Sequence, residues 1–331
     1  MAQTWGGKKV LVTGAGGFIG SHLTEKLVHE GARVRAFVRY NSRGDLGLLS
    51  ELPPPMLDAV EIIAGDLRDP QAIRDAVDGM EVVFHLGALI SIPYSYRHPY
   101  EVAETNIMGT LNVLIAARDL GIERLVHTST SEVYGTALRV PIEEDHPLQA
   151  QSPYSASKIG ADKLAESFNC TYDLPVVTLR PFNTYGPRQS ARAVIPTIIT
   201  QALTQDSIHL GALDTIRDFT YVSDTVNGFL LAASAPDIEG ETIHLGTGRE
   251  VTIGDLCNTI VKIVQRPVVV EVDPDRIRPG KSEVKRLLSD NTYAREMLGW
   301  EPDVSLEEGL QRTVEWIHEN LQRYRVGVYE F

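Results

Sequence analysis

The sequence predicts an α/β protein, a doubly wound parallel sheet followed by a smaller C-terminal lobe. Three observations carry this. Short β-branched runs and helical runs alternate through the first half of the chain, the pattern of a parallel sheet covered by helices on both faces. The first strand ends in a glycine-rich turn that opens a helix, GAGGFIG. The rhythm breaks after Pro181, where turn-rich segments such as NTYGPRQS and DPDRIRPGKSE interrupt shorter elements. The expected division is 1–180 for the sheet domain and mainly 181–331 for the second lobe, with segment 218–235 returning to the first.

Taken in order, KKVLVTG (Lys8 to Gly14) is a β-branched run ending in glycine, a buried strand. FIGSHLTEKLVHEG has apolar residues at helical spacing and stops at Gly31. RVRAFVR is a second strand, and ELPPPML (Glu51 to Leu57) is the clearest loop. VEIIAGD is a third strand and DPQAIRDAVDG a helix; EVVFHLGA is a fourth strand, followed by a long helical stretch around ETNIMGTLNVLIAARDLG. RLVHTST is a fifth strand, PYSASKIGADKLAESFNCTY a helix, and PVVTLRPFN a sixth strand. TYVSDTVNGFLLAAS reads as the helix that returns to the first lobe.

Composition excludes several function classes. A net charge of −13 over 331 residues opposes binding to nucleic acid or anionic lipid. An anionic small molecule would need its own local arginines. Two cysteines, Cys170 and Cys257, read as reduced thiols and fit a reducing cytoplasm. The N-terminal MAQTWGGKK runs into a strand without a signal-peptide core. No apolar run approaches the roughly 18 residues of a membrane span. No metal site is expected.

Gly14, Gly17 and Gly20 stand at three-residue spacing after a strand and at the start of a helix. Glycines there permit a tight turn, and the helix N-terminus offers free N–H groups to a pyrophosphate. With Phe18 and Ile19 in the same run, this is a dinucleotide site. No carboxylate sits at the end of the second strand; Arg39, Ser42 and Arg43 form a cradle suited to a 2′-phosphate. The reading leans to NADP and leaves NAD open. Asp66, in AGDL, is placed for the adenine amino group, with Leu67 and Leu86 as further cofactor contacts.

SPYSASK places Tyr154 and Lys158 one turn apart on a helix that Ser152 can cap and Pro153 can start. An ammonium beside a phenol favours the phenolate, so Tyr154 can take a proton from a carbinol as hydride leaves for a nicotinamide. In HTSTSEVYG a lone carboxylate, Glu132, follows hydroxyl residues just past a strand.

GAGGFIG, HTSTSEVYG, SPYSASK, RPFNTYGPR and RDFTYVSDT together resemble the extended short-chain dehydrogenase/reductase family, in its nucleotide-sugar branch, over nearly the whole chain. The resemblance implies a Rossmann-type cofactor domain, a substrate-binding C-terminal lobe for a nucleotide-diphosphate sugar, and a homodimer joined through the helices containing TLNVLIAARDL and SASKIGADKLAESF. It implies that Thr130, Tyr154 and Lys158 form the redox centre. Within the branch the chain is most similar to nucleotide-hexose 4,6-dehydratases, in which a base at the position of Glu132 removes the sugar C5 proton after C4 is oxidised.

One departure is that Ser131 stands where dTDP-glucose dehydratases carry the aspartate that protonates the leaving hydroxyl; here Glu132, directly or through water, is the remaining source. The same TSEVYG motif also resembles UDP-glucuronate decarboxylases, so a decarboxylase or a 4-epimerase is the alternative, and a non-enzymatic dinucleotide-binding protein a third. Asn183, Arg188, Arg217 and Arg278 match substrate positions of the family; bidentate guanidinium groups suit phosphate oxygens. His85 is expected to pack against the cofactor loop, and His22 to be helix surface or core.

Overall fold

The computed structural model describes residues 5–326; the start of MAQTWGGKK as far as Thr4, and residues 327–331 of the second lobe, lie outside the described residues. Strand β1 (Lys9–Thr13) is buried beyond its first residue. Side chains alternate across a strand, so Val10 and Val12 enter one hydrophobic layer and Leu11 the other. The chain continues through α1 (Phe18–His29), β2 (Arg33–Arg39), α2 (Pro54–Leu57), β3 (Glu61–Gly65), α3 (Pro70–Val77) and β4 (Val82–His85). The PPPML stretch, read as loop, holds the single turn α2, because proline is tolerated in a first helical turn. The long helical stretch before the fifth strand is divided into α4 (Ile92–Arg97), α5 (Pro99–Ala103), a π-turn over Glu104–Met108 and α6 (Gly109–Leu120). Then come β5 (Arg124–Thr128), α7 (Pro153–Tyr172) and β6 (Val176–Pro181). A capping box starts α7: the Ser152 hydroxyl accepts from Ser155 N, and Pro153 takes the first helical position.

Beyond Pro181 lie β7 (Thr184–Tyr185), α8 (Val194–Thr204), β8 (Ser207–Leu210), β9 (Ile216–Arg217), β10 (Thr220–Tyr221), α9 (Val222–Ser234) and β11 (Thr242–Leu245). They are followed by β12 (Val251–Thr252), α10 (Ile253–Val264), β13 (Val269–Val272), α11 (Thr292–Leu298) and α12 (Leu306–Glu319). The main sheet has seven parallel strands in the order β3-β2-β1-β4-β5-β6-β11. The seventh strand, β11, goes beyond the six read from the sequence. Its register puts His244 beside Arg180 and Ile243 beside Leu179.

Strand order reverses between β1 and β4, and a doubly wound sheet opens its ligand crevice there, at the carboxyl ends. Two layers cover the sheet. On one face α3, α6 and α7 bury Ile73, Val113, Leu114 and Phe168 against Leu11, Val83 and Leu125. On the other, α9 lies beside α1, and Phe229 packs on Phe84 with ring centroids 6.4 Å apart. That layer runs without a break into the second lobe, through Ile195, Ile198, Leu256, Trp300 and Leu310. Trp300 Nε1 donates to the Asp224 carbonyl of α9 at 2.8 Å, tying the lobes at their hinge side. Full burial of a large apolar side chain stabilises by roughly 1.5–3 kcal/mol.

Candidate active site

Two cavities meet at the carboxyl edge of the sheet. The first, of about 640 Å³, runs over the tips of β1, β2, β4, β5 and β6. Its floor is the glycine turn. Gly14 has φ +69°, and a Cβ there would stand 2.7 Å from Gly87 N; one on Gly20 would stand 2.2 Å from Gly14 O. Both glycines are therefore required by close backbone approach. No side chain caps the N-terminus of α1 at Gly17, so its N–H groups face the cavity. This cradle fits the pyrophosphate of a dinucleotide. Gly17, Phe18, Ile19, Gly20, Arg39 and Leu86 line it. Asp66 and Leu67 line an adjoining recess with Gly14, Phe37 and Arg39. Asp66 is paired there with Arg68 at 2.7 Å, which holds its carboxyl below the usual range.

The ribose end departs from the expected cradle. Arg39 reaches the cavity, but Ser42 and Arg43 lie outside its lining, and Asn41 and Asp45 take their place. The reason is local. Asn41 Oδ1 accepts from the backbone N–H of Arg43 and of Asp45, curling the loop, and Leu48 N donates to Gly16 O. A carboxylate, Asp45, thus enters the site that the strand end lacks.

Tyr154 is 6% exposed and Lys158 4%. The phenol, Thr130 and Glu132 all line the cofactor cavity. Lys158 Nζ donates to the Thr128 carbonyl at 2.6 Å. Burial lowers its pKa to about 8, against the pull of Asp162. Burial raises the Tyr154 phenol, the Thr130 hydroxyl opposes this by hydrogen bonding, and the charges of Glu132 and Asp162 raise it further. The expected lowering of the phenol by the lysine is therefore not what the structure holds: Lys158 Nζ donates to the Thr128 carbonyl, and burial dominates the phenol.

The second cavity, of about 300 Å³, lies under the C-terminal lobe. Glu132, Asn183, Thr184 and Gln189 line both cavities, so Glu132 sits on the seam. A 3₁₀ turn over Ser131–Tyr134 carries it; Thr130 starts the turn, its hydroxyl accepting from Glu132 N at 3.2 Å. Buried Ser131 lines the cofactor side only. Arg217 and Arg278 line the second cavity, both near Glu283 Oε1, at 3.6 and 3.9 Å. Arg217 is lowered by burial; Glu132 pulls it up, Arg278 down and Glu283 up. Arg278 Nη1 is buried without a hydrogen-bond partner. Arg192 and Arg276 join them, Arg276 paired with Asp273 at 3.0 Å, and guanidinium groups of this kind suit a diphosphate.

Arg188 does not join them. It lines neither cavity and pairs with Glu25 of α1 at 2.6 Å. Its backbone is left-handed, φ +69°, and the chain after Gly186 turns it onto α1, where Pro187 O also meets His22 Nε2 at 3.0 Å. Arg192, four residues on, holds the place expected of it. Asn183 donates to Asp218 O at 3.0 Å. His85 is buried between Thr13 Oγ1 at 2.8 Å and Thr110 Oγ1 at 3.1 Å, its pKa pushed well down by burial and by His127 and Lys158. Thr13 Oγ1 in turn accepts from Gly87 N, so His85 braces the cofactor loop. Cys170 is exposed and Cys257 buried, both free. Among the described residues no helix is long and apolar enough to cross a membrane, and no His, Cys, Asp and Glu group has metal-binding geometry.

The family described as GDP-mannose 4,6 dehydratase matches residues 11–313. A UDP-glucose 4-epimerase of Mycolicibacterium smegmatis is 34% identical over 95% of this chain and all of its own. A UDP-N-acetyl-alpha-D-glucosaminuronate decarboxylase of Bacillus cytotoxicus is 33% identical over 94% of this chain and 98% of its own. The crystal structure of DesIV, a dTDP-glucose 4,6-dehydratase of Streptomyces venezuelae with NAD and TYD bound, superposes with a TM-score of 0.84 at 30% identity, covering 96% of this chain and 98% of that one.

Proposed function

We propose that this chain, which belongs to the extended short-chain dehydrogenase/reductase family of nucleotide-sugar epimerases and dehydratases, is a nucleotide-sugar 4,6-dehydratase. The observation that carries this is Glu132, a carboxylate on the seam between a dinucleotide cradle and an arginine-lined cavity. A 4-epimerase has no use for a base there. A bound nicotinamide dinucleotide, held by Gly14, Gly17, Gly20 and the α1 N-terminus, would supply the acceptor and later donor of hydride. Arg39 supports NADP, and Asp45, across the same cavity, supports NAD.

The chain's own residues do the rest. Arg217 and Arg278 hold the diphosphate, which brings the hexose to the seam. Tyr154, with Thr130 beside it and Lys158 behind, takes the C4 hydroxyl proton as C4 becomes a ketone. The ketone acidifies the C5 hydrogen, and Glu132 removes it. Ser131 has no useful acidity, so Glu132 passes that proton to the departing C6 hydroxyl, which leaves as water. Return of hydride to C6 and of a proton to C5 completes a 4-keto-6-deoxy sugar.

A C5 decarboxylase or 4-epimerase is the second reading, favoured by the relatives of those activities. Incubation with GDP-, UDP- and dTDP-sugars separates the three by product mass: loss of water, loss of carbon dioxide, or no change. Glu132→Gln should lower dehydration ~10²–10⁴-fold, the usual loss with a positioned base, while the 4-keto sugar accumulates. Deuterium from solvent should enter C5 with the wild type only. Wild-type product formation by Glu132→Gln would overturn the reading.

A further inference from the structure

We infer that Asp162 is a positioning residue for the redox centre, a buried carboxylate that locks the end of β5 onto α7 and supplies the counter-charge to the Lys158 ammonium. The inference rests on the redox reading of Tyr154 and Lys158, but not on which sugar reaction follows. Asp162 is 4% exposed and lies one helical turn past Lys158, on the same face. Both of its oxygens are engaged. His127 Nε2 stands 3.0 Å from Oδ1. Ser129 Oγ donates to Oδ2 at 2.6 Å, and Arg180 Nη2 and Nε donate to the same oxygen at 3.0 and 3.3 Å.

These partners are not arbitrary. His127 and Ser129 flank Thr128, whose carbonyl receives Lys158, and Ser129 is followed by Thr130. One carboxylate therefore fixes the strand end that carries Thr130 to the helix that carries Tyr154 and Lys158. Arg180 extends the brace: its Nη1 meets Tyr134 OH, on the turn that carries Glu132, at 2.5 Å, and Tyr134 OH meets His244 Nε2 of β11.

Titratable and charged groups from several elements surround the redox centre. Tyr154 and Asp162 are on α7, His127 on β5, His85 on β4, Arg180 on β6, His244 on β11, and Glu132 and Tyr134 on the 3₁₀ turn. Burial keeps His85, His127 and His244 lowered, hence neutral near pH 7. Burial raises the phenols of Tyr154 and Tyr134. Glu132 acts on Tyr154 and on Arg217. The Asp162 charge opposes the lowering of Lys158 by burial, and its own carboxyl, raised by burial, is brought down to about 2 by His127, Arg180 and Lys158. Asp162, one turn away on the same helix face, thus favours the ammonium form of Lys158 against its burial.

The test reads Lys158 directly, without substrate. In protein carrying ¹³C-labelled lysine, the Lys158 side-chain resonance, assigned by its loss in Lys158→Met, is titrated in wild type and in Asp162→Asn. The midpoint should fall by about one pH unit, the order contributed by an opposite charge at close range. An unchanged midpoint would overturn the charge role. If Asp162→Asn does not fold, Asp162→Ser serves: it removes the same carboxylate and should also move the midpoint down, and an unchanged or upward midpoint refutes the inference. In turnover, Asp162→Asn should carry the alkaline loss of kcat to lower pH with KM for the nucleotide sugar unchanged. A merely structural role would lower activity evenly across pH.

Discussion

Removing the Lys158 ammonium should flatten the alkaline response of the protein's stability. Burial holds this lysine's pKa down from its ordinary 10.5 to about 8. A lysine lowered by folding is charged less readily in the native state, so between those two values the unfolded chain binds more protons and stability rises with pH. The cost of the buried charge is present in full below the folded value and is gone above the unfolded one. Its full size is roughly 3 kcal/mol, of which about 2 kcal/mol is regained between about pH 7 and pH 9.5. With an unfolding entropy of ~0.7 kcal/mol/K for a chain of this length, that is ~3 °C in Tm. Lys158→Met lacks the term. It also leaves the Thr128 carbonyl without its donor, which lowers stability by about 1–3 kcal/mol, but equally at every pH. The assay is therefore the difference in Tm between wild type and variant, followed across pH in protein stripped of cofactor. The wild type should gain on the variant by about 3 °C toward alkaline pH. Parallel curves would show that Lys158 is well solvated and that its burial has been misjudged.

Gly20→Ala should abolish dinucleotide binding and lower stability, because its Cβ would stand 2.2 Å from Gly14 O; cofactor fluorescence and Tm read both, and retained binding refutes the close approach. Arg39→Asp should move preference from NADP to NAD, since a carboxylate accepts from a 2′-hydroxyl and repels a 2′-phosphate. Wild-type protein that retains only NAD would instead assign the ribose to Asp45. The protein should be a homodimer through α6 and α7, which leave Ile115 36% and Tyr172 48% exposed near Met108 at 47%; a monomer mass in light scattering refutes it.

What the sequence made legible was local. The glycine turn, the Ser152 cap and the Tyr154–Lys158 spacing are set within a turn or two of helix, and each stands where the residue types put it. What escaped depends on where a loop turns or on partners far away in the chain. Arg188 and Arg192 look equally basic in GPRQSAR; only the left-handed backbone at Arg188 sends one to Glu25 and leaves the other in the cavity. Asp45 enters the ribose site because Asn41 curls the loop, a side-chain effect hidden in a run of polar residues. Asp162 drew no reading from the sequence, because its meaning lies in His127, Ser129 and Arg180, from two strands far from it in the chain. The lysine's effect on the phenol was judged from proximity alone, and burial outweighed it.

The last strand of the sheet, β11, is contributed by residues 242–245, some sixty residues after its neighbour β6. During synthesis, β6 with its buried run VVTLR therefore has no partner on one side until some sixty further residues have been made. An unpaired apolar edge is a template for pairing with other chains, and slow long-range pairing prolongs its exposure. Translation that halts between Pro181 and Thr242 leaves a nascent sheet with an adhesive rim. A fragment cut at the apparent lobe boundary inherits the same rim and should precipitate, although it contains the whole glycine turn, Tyr154 and Lys158.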